Sequence, residues 1–537
     1  MGAMPAPSAF APLRHPAFRL LWCASLASNI GLWIQNTAAG WLMTSLAPSP
    51  AMVSMVQAAS MLPVFLLALP SGALADIMER RAYLLLTQIW LFAAAVLLVV
   101  TELSGGLGAW SLLGFTFLLG CGMAMSFPGW AATTPELVPR EDLVGAIALN
   151  GINFNIARAL GPAVGGLIVA SFGVGTAFAL NALCITALAV ALLFWKRTAP
   201  RPALPPESFF SAIRVGMRFV SATPAVKAAI LRAMVFFLFG AAVWGLMPLL
   251  VRQELGLGAE AFGLMLGCMG AGAVFAGFIM PRFRARYGRG AIVLRASVIS
   301  SGAMALLGLA APLGLGWPAA ALGIFVYGMC WLAGASTLQA AASLAAPNWV
   351  RARALGIYQM SFFGAMAAGS VCAGWLGSHM GVPGALCLFA VLGAGSALLV
   401  RHHGLDAESS DTRPEHTARH IRPEPAAAEL RDLLHADQGR VLETVRYSIT
   451  PADRMAFLSH MEEVRRVRMR AGATLWRLYE NVAHPERFVE LWVTGSWTEH
   501  LREERRMTEA DKAIVAKAAA FDRGEPGAEA ARYINLM

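Results

Sequence analysis

Between residues 18 and 400 the chain alternates long apolar runs with short polar turns. Crossing a hydrocarbon core of about 30 Å takes about 20 helical residues, so the length of a run decides what it can do. Twelve runs qualify, at 18–46, 51–75, 82–102, 108–133, 143–170, 174–195, 228–252, 261–281, 291–312, 317–342, 352–378 and 382–400. The pattern predicts an all-α polytopic membrane protein with 12 transmembrane helices.

The turns fall into two sets. One carries Arg80, Arg81, Arg140, the group Lys196, Arg197, Arg201, Arg214, Arg218 and Lys227, then Arg282, Arg284, Arg286, Arg289, Arg351 and Arg353; the other carries only Arg252. Basic loops stay in the cytoplasm, which places both termini and the loop 196–227 there. That loop, rich in proline (Pro200, Pro202, Pro205, Pro206), separates two six-helix halves, 1–195 and 228–400. A shift of 208 residues lays Gly120 on Gly328, Gly161 on Gly369 and Gly166 on Gly374, and a shift of 205 brings Gly72 to Gly277. Two pseudo-repeats with a substrate path at their pseudo-twofold interface are a transporter architecture.

After Val400 the pattern changes. Residues 401–439 read as a polar, proline-bearing linker, and 440–537 as a small cytoplasmic domain. Residues 441–449 alternate as a strand, 451–470 are helical, 473–481 and 487–493 are strands, 497–506 and 508–521 are helices, and 531–535 is a last strand. The order βαββαβ predicts a small α+β ferredoxin-like domain.

Composition agrees with this division. The chain is 57% hydrophobic and 14% charged, which excludes a soluble globular protein. Residues 1–400 hold 21 Lys and Arg against 9 Asp and Glu, net +12, whereas 401–537 hold 21 against 23, net −2. The basic excess therefore belongs to membrane-flanking loops and not to a nucleic-acid surface. All seven cysteines (Cys23, Cys121, Cys184, Cys268, Cys330, Cys372, Cys387) lie in apolar runs without metal-type spacing and read as free thiols. The run behind Arg14 and Arg19 continues to Leu46, too long for a cleaved signal, and is expected to be retained as the first helix.

The turn from Gly72 to Arg81 (GALADIMERR) carries the first candidate chemistry. Gly72 is expected to let two helices approach closely, and Asp76 to hold a carboxylate beside the bilayer surface. The turn resembles the loop between helices 2 and 3 of the major facilitator superfamily, with Glu79 in place of a usual glycine. That resemblance implies a gating motif of Gly72, Asp76, Arg80 and Arg81, in which Asp76 meets the start of helix 11 when the cytoplasmic side is closed. A carboxylate at the positive end of a helix dipole is worth ~0.3 to 1 kcal/mol. The second-half counterpart, from Gly277 to Arg286, has Pro281 near the acid's place and no carboxylate.

Helix 5 carries Gly161, Pro162, Gly165 and Gly166, small residues and a proline suited to close helix packing. They resemble the antiporter motif of drug-exporting facilitators. Together with Pro128-Gly-Trp130 and the stretch Glu136 to Leu143, residues 128–166 resemble the enterobactin-exporter branch, the transmembrane secretion effectors. The likeness covers residues 10–400. It implies secondary-active export of a siderophore-like or drug-like organic molecule, with proton antiport; the pattern itself leaves import open.

Helices 1, 4, 7 and 10 line the cavity in that superfamily. Asn29, Trp33 and Asn36 share one face of helix 1, and with Asn153, Trp244, Tyr327 and Trp331 they are the candidate substrate cavity. Arg158 lies near mid-depth of helix 5, where a charge costs ~2.5 to 3.5 kcal/mol or more. Either it faces an aqueous cavity and attracts anionic or catechol-like groups, or it pairs with the amides of Asn153 or Asn155. The nine acids of residues 1–400 all fall at helix ends or in loops, leaving Asp76, Glu136 and Asp142 as candidates for proton coupling.

The tail's Phe488-Val-Glu490-Leu-Trp492 and Trp497-Thr-Glu-His500 resemble antibiotic-biosynthesis-monooxygenase-like domains, which are dimeric α+β barrels. The resemblance implies self-association, ligand binding or cofactor-free oxygenation, with His500 a candidate site residue or a structural histidine. The spacing spells no metal triad, no nucleophile constellation and no phosphate-binding glycine loop, so no catalytic residue, metal or cofactor is expected, nor ATP drive. The expected partners are a small organic substrate, the lipid bilayer, protons and a second copy of the chain. Two function classes remain: a transporter with a cytoplasmic appendage, or a membrane-anchored enzyme or ligand-binding module whose tail modifies or senses the substrate.

Overall fold

A helix that is apolar on every face is stable only in lipid or deep inside protein. The computed structural model contains eleven helices long and apolar enough to cross a membrane among the described residues. The structure describes residues 10–139, 141–195, 216–221, 223–347, 350–405, 440–507, 509–524 and 529–535. Most of the loop 196–227 and of the linker 401–439 lies outside that set.

The first half contains α1 (Pro16–Leu46), α2 (Pro50–Ile77), α3 (Arg80–Leu103), α4 (Ala109–Leu137), α5 (Leu143–Phe172) and α6 (Val174–Phe194). The second contains α7 (Pro224–Leu249), closed by a π-helical turn at Leu250–Glu254, then α8 (Ala259–Arg286), α9 (Arg289–Ala310) and α10 (Gly316–Leu344). A final long helix, Arg351–Leu399, is broken at Gly381, where φ is 76° and ψ 163°. Glycine adopts that conformation without a Cβ penalty. The break makes α11 (351–380) and α12 (382–399), and with them the twelve spans that the apolar runs predict.

The glycines paired by the 208-residue shift occupy equivalent contacts. A Cβ on Gly161 of α5 would stand 2.5 Å from Trp33 Cβ on α1, and one on Gly369 of α11 would stand 2.1 Å from the Leu238 carbonyl on α7. Gly166 meets Gly263 of α8 (2.4 Å to its Cα), while Gly374 meets Pro50 and Ser54 at the start of α2. Gly120 packs α4 on Ser60 and Pro63 of α2, and Gly328 packs α10 on Met269 of α8. The repeat is thus a repeat of helix crossings, and each crossing requires backbones closer than a side chain permits.

Gly72 departs from this rule. A Cβ there would meet no described atom within 4 Å, so the close approach expected of it does not occur.

Hydrogen bonds tie the halves together at the end opposite the basic turns. Arg252 donates to Thr44 Oγ1 (2.8 Å) and to Ser45 Oγ, with its guanidinium 5.4 Å from the Trp41 ring centroid. Gln253 Nε2 donates to the Pro48 carbonyl (3.1 Å), and the Ala51 N–H donates to Ser378 Oγ (3.2 Å). Near the basic end, buried Arg232 donates to the carbonyls of Gly290, Val400 and Arg401, which satisfies a charge the apolar pattern conceals.

The chain forms two compact units: 1–207, 229–340 and 358–405; and 208–228, 341–357 and 406–537. The second unit therefore includes part of the middle loop, and Arg218 Nη1 donates to the Ala473 carbonyl at 3.3 Å. Its tail contains β1 (Val441–Ser448), α13 (Arg454–Ala471), β2 (Leu475–Glu480), β3 (Arg487–Thr494), α14 (Trp497–Arg506), α15 (Glu509–Ala520) and β4 (Glu529–Ile534). All pairings are antiparallel and the strand order is β2-β3-β1-β4, the ferredoxin-like arrangement. Val445, Tyr447, Phe488 and Trp492 on the inner sheet face pack with Phe457, Met461 and Val464 of α13.

Candidate functional site

The turn between α2 and α3 is built from capping. Glu79 is the N-cap of α3, and its carboxylate accepts from the N–H groups of Arg81 (3.1 Å) and Ala82 (2.7 Å). This accounts for an acid where the superfamily places a glycine, since an N-cap acceptor satisfies helix donors that have no intrahelical partner. Arg80 and Arg81 are helical and not loop residues. Arg80 pairs with Glu136 in the last turn of α4, and Arg81 donates to the carbonyls of Leu192 (3.0 Å) and Leu193 (2.6 Å), capping α6. A second pair, His15 to Asp142 at 2.8 Å, joins the start of α1 to that of α5. Asp76 lies in the last turn of α2, its side chain outside the described residues.

Inside the first half, α1, α3, α4, α5 and α6 enclose a cavity of about 390 Å³. Its polar lining is made of amides and hydroxyls, among them Ser25, Asn29, Gln88, Asn150, Asn153 and Asn181, and its apolar walls include Trp22, Trp130 and Phe154. Among the described residues, no Asp, Glu, Lys, Arg or His lines it. Asn153 organises the α1–α5 wall: its Nδ2 donates to the Trp22 carbonyl and Ser25 Oγ, both at 3.0 Å, and its Oδ1 accepts from Asn29 Nδ2 at 2.9 Å. Gln88 is 1% exposed, and its Oε1 has no hydrogen-bond partner among the described residues.

The other proposed lining residues lie elsewhere. Asn36 borders a separate recess of about 20 Å³. Trp33, Trp244, Trp331 and Tyr327 pack on one another in sequence, with ring centroids 5.8, 5.6 and 5.8 Å apart, and do not line the cavity. They fill the space between α1, α7 and α10 and leave the cavity to the first half alone. Arg158 is also absent from the lining: its Nη2 donates to Asn155 Oδ1 at 2.9 Å, one turn back along α5. A further hollow of about 460 Å³ beside α5, α8 and α10 has only apolar side chains and glycine around it, a surface suited to lipid chains.

The tail holds a second concentration of polar groups. Glu443, Glu490, Arg468, His500 and Glu503 are each 8% exposed or less. Glu490 accepts from Tyr447 Oη (2.9 Å), Arg468 Nε (3.2 Å) and Trp476 Nε1 (3.0 Å). His500 Nδ1 stands 2.5 Å from Glu443 Oε1, and Trp492 Nε1 donates to Glu503 Oε2 at 3.2 Å. Burial opposes the charge on Arg468, but Glu490 and Glu503 outweigh it and hold the guanidinium above its ordinary pKa. Burial pushes the Glu503 carboxyl up to about 7, with Arg468 pulling the other way. The tyrosine beside them, Tyr447, is raised well above its ordinary value by burial and by Glu490.

The family model of the transmembrane secretion effectors matches residues 7–536, tail included. The chain belongs to that family. A Bacillus subtilis relative, the uncharacterized MFS-type transporter YfiS, is 26% identical over 406 residues, covering 71% of this chain and 94% of its own. The enterobactin exporter EntS of Salmonella choleraesuis is 27% identical over 329 residues, covering 60% and 76%. The fold matches a bacterial homologue of the lysosomal transporter Spinster, solved inward-facing and unoccupied, with TM-score 0.55, 13% identity and coverage of 75% and 98%. This secretion effector is a multi-pass major facilitator transporter.

Within that family frame the structure gathers Asn29 and Asn153 at the cavity, and Gly161, Pro162, Gly165 and Gly166 at the α5 crossings. Gln88, Asn150 and Asn181 are cavity residues that sequence reading missed. Each is an amide inside an apolar run, which is the signal that was available.

Proposed function

We propose that this secretion effector is a secondary-active exporter of a siderophore-like or drug-like organic molecule from the bacterial cytoplasm, a multi-pass protein of the plasma membrane with both termini cytoplasmic. The observation that carries the reading is the uncharged cavity of about 390 Å³, whose amides supply donors and acceptors and whose indole and phenyl walls supply apolar contact. Such a lining suits an amphipathic group of low net charge, because buried amides orient a ligand without the desolvation cost of an ion. The basic turns support placing that end of the helices in the cytoplasm. With the halves bonded at the opposite end, the transporter rests with its outer side closed, ready to load from inside. EntS, named an enterobactin exporter, supports the outward direction.

Proton antiport, if this exporter uses it, runs through carboxylates outside the cavity. Asp142 beside His15 and Glu136 beside Arg80 are the described candidates, both at the cytoplasmic end. Inverted vesicles test this: substrate uptake that ignores an imposed pH gradient excludes coupling to protons. For the cavity, Gln88→Ala and Asn153→Ala chains are expressed in a strain lacking its own exporters, and accumulation of siderophores, macrolides and dyes is measured. Efflux falls for both at normal membrane abundance; wild-type efflux of every substrate by both variants overturns the assignment. The tail, with its ferredoxin-like strand order, is read as a cytoplasmic module that holds a ligand or a second copy.

A further inference from the structure

The inner face of the tail's sheet should be apolar, and along β1 it is so at Val445 and Tyr447. The next inward position is Glu443, 7% exposed. Above it stand His500 and Glu503, three residues apart and therefore on one face of α14, both 2% exposed. One donor atom from each of the three lies within 4.8 Å of the other two. We propose that Glu443, His500 and Glu503 form a divalent transition-metal site that clamps α14 to the sheet.

The charge inventory shows why these three differ from the pair beside them. Glu490 is fully served by Tyr447, Arg468 and Trp476, and it closes an ion pair with Arg468. The other two carboxylates meet guanidiniums only at longer range: Arg468 Nη1 is 3.9 Å from Glu503 Oε1, and Arg532 Nε is 3.9 Å from Glu443 Oε2. Among the described residues, three buried carboxylates thus face two guanidiniums. Glu503 Oε1 has no hydrogen-bond partner among the described residues. A metal ion would engage that oxygen.

The surroundings also have the form of a metal site's outer shell. Trp492 Nε1 donates to Glu503 Oε2 and holds the carboxylate in place beside His500 and Glu443. Trp497 lies against the His500 ring, with centroids 5.1 Å apart, and fixes its plane. Ser496 caps α14, accepting from the Glu499 N–H at 3.3 Å, and so anchors the turn that carries the histidine. Outer groups of this kind orient metal ligands, and losing one weakens metal affinity. One imidazole and two carboxylates suit zinc, ferrous iron or manganese, whereas calcium and magnesium prefer oxygen alone.

The test uses the full-length protein in detergent, stripped with chelator and desalted. Zn²⁺ is added and bound metal is counted by mass spectrometry; Co²⁺ then reports imidazole coordination through its visible absorption. The expected result is about one ion per chain, as a single three-ligand centre requires. In Glu503→Gln, which keeps an acceptor for Trp492, affinity falls by ~10 to 100-fold or more. His500→Ala loses the Co²⁺ spectrum, while Glu480→Gln, on the exposed edge of β2, binds as wild type. If the wild-type chain takes up neither ion, or if Glu503→Gln matches it with an unchanged near-ultraviolet circular dichroism spectrum, the cluster is an ion network completed by a proton and the proposal fails.

Discussion

The cavity of the helical unit and the buried cluster of the tail solve the same problem in opposite ways. Each sets polar groups inside an apolar surround. The cavity does so with amides and hydroxyls and shows no ionisable side chain among the described residues, while the tail gathers three carboxylates, the Arg468 guanidinium and the His500 imidazole between its sheet and its helices. In a bilayer, an unpaired charge at mid-depth has no water to fall back on. The helices accordingly place Arg80, Arg81, Glu136 and Asp142 at their ends. In the tail, the helix α13 brings Arg468 against Glu490 of the sheet and within 3.9 Å of Glu503, so ions can be buried where opposite charges meet. Polarity in the first region is available to a ligand, and in the second it is committed to the fold.

Breaking the match in the tail has the largest expected consequence. Arg468→Met removes the partner of Glu490 and leaves a buried carboxylate uncompensated, at a cost of ~3 to 5 kcal/mol. Residues 440–537 should then be cleaved by trypsin under conditions in which the wild-type tail resists, with the helical unit intact. A tail that stays resistant would show that the ions are not held by mutual pairing.

Next comes the crossing of α5 and α8. Gly166 and Gly263 approach so closely that Gly166→Leu must separate the helices, and overpacking of this kind costs ~1 to 3 kcal/mol. Because that contact lies at the end where the halves are bonded, the variant should populate a state open at that end. Paired cysteines at positions 45 and 252 would crosslink less readily than in the otherwise wild-type chain. Unchanged crosslinking would remove the contact from the closed end.

Asn153→Ala sharpens the cavity's side of the comparison. It deletes three hydrogen bonds and strands Asn29 Nδ2, while the Trp22 carbonyl keeps Ser25 Oγ as a donor; ~1 to 3 kcal/mol is expected if water does not replace the amide. Thermal melting of the purified transporter measures that loss. Asn153→Gln, which keeps the groups but moves them, should recover stability without full transport.

How far the sequence discloses each region follows from the same contrast. Lipid constrains every residue of a spanning helix, so run length located α1 to α12 to within a few residues, and even the break at Gly381 fell in the turn expected between the last two runs. The glycines paired by the 208-residue shift were equally readable, since each marks a crossing. Which helix faces enclose a cavity depends on packing between helices distant in sequence. Hence Trp33, Trp244, Tyr327 and Trp331 were expected to line a pocket and instead fill the interface. The tail cluster was half legible: His500 and Glu503 share a helix face, and Glu443 is an acid on the inner side of an otherwise apolar strand. Their meeting is a product of the fold.

Arg158 is where the two strategies come closest, and its substitution should have the smallest effect. It is the charge on α5 nearest mid-depth, yet it pairs with Asn155 on its own helix and stays off the cavity lining. If the cavity works through amides, Arg158→Gln keeps a hydrogen bond to Asn155 while relieving a charge that costs ~2.5 to 3.5 kcal/mol in hydrocarbon. Efflux of uncharged substrates should therefore be unchanged and the melting temperature equal or slightly higher. A selective loss of anionic substrates at normal membrane abundance would instead put a cation in the transport path, and the contrast between an uncharged cavity and a charged tail would have to be withdrawn.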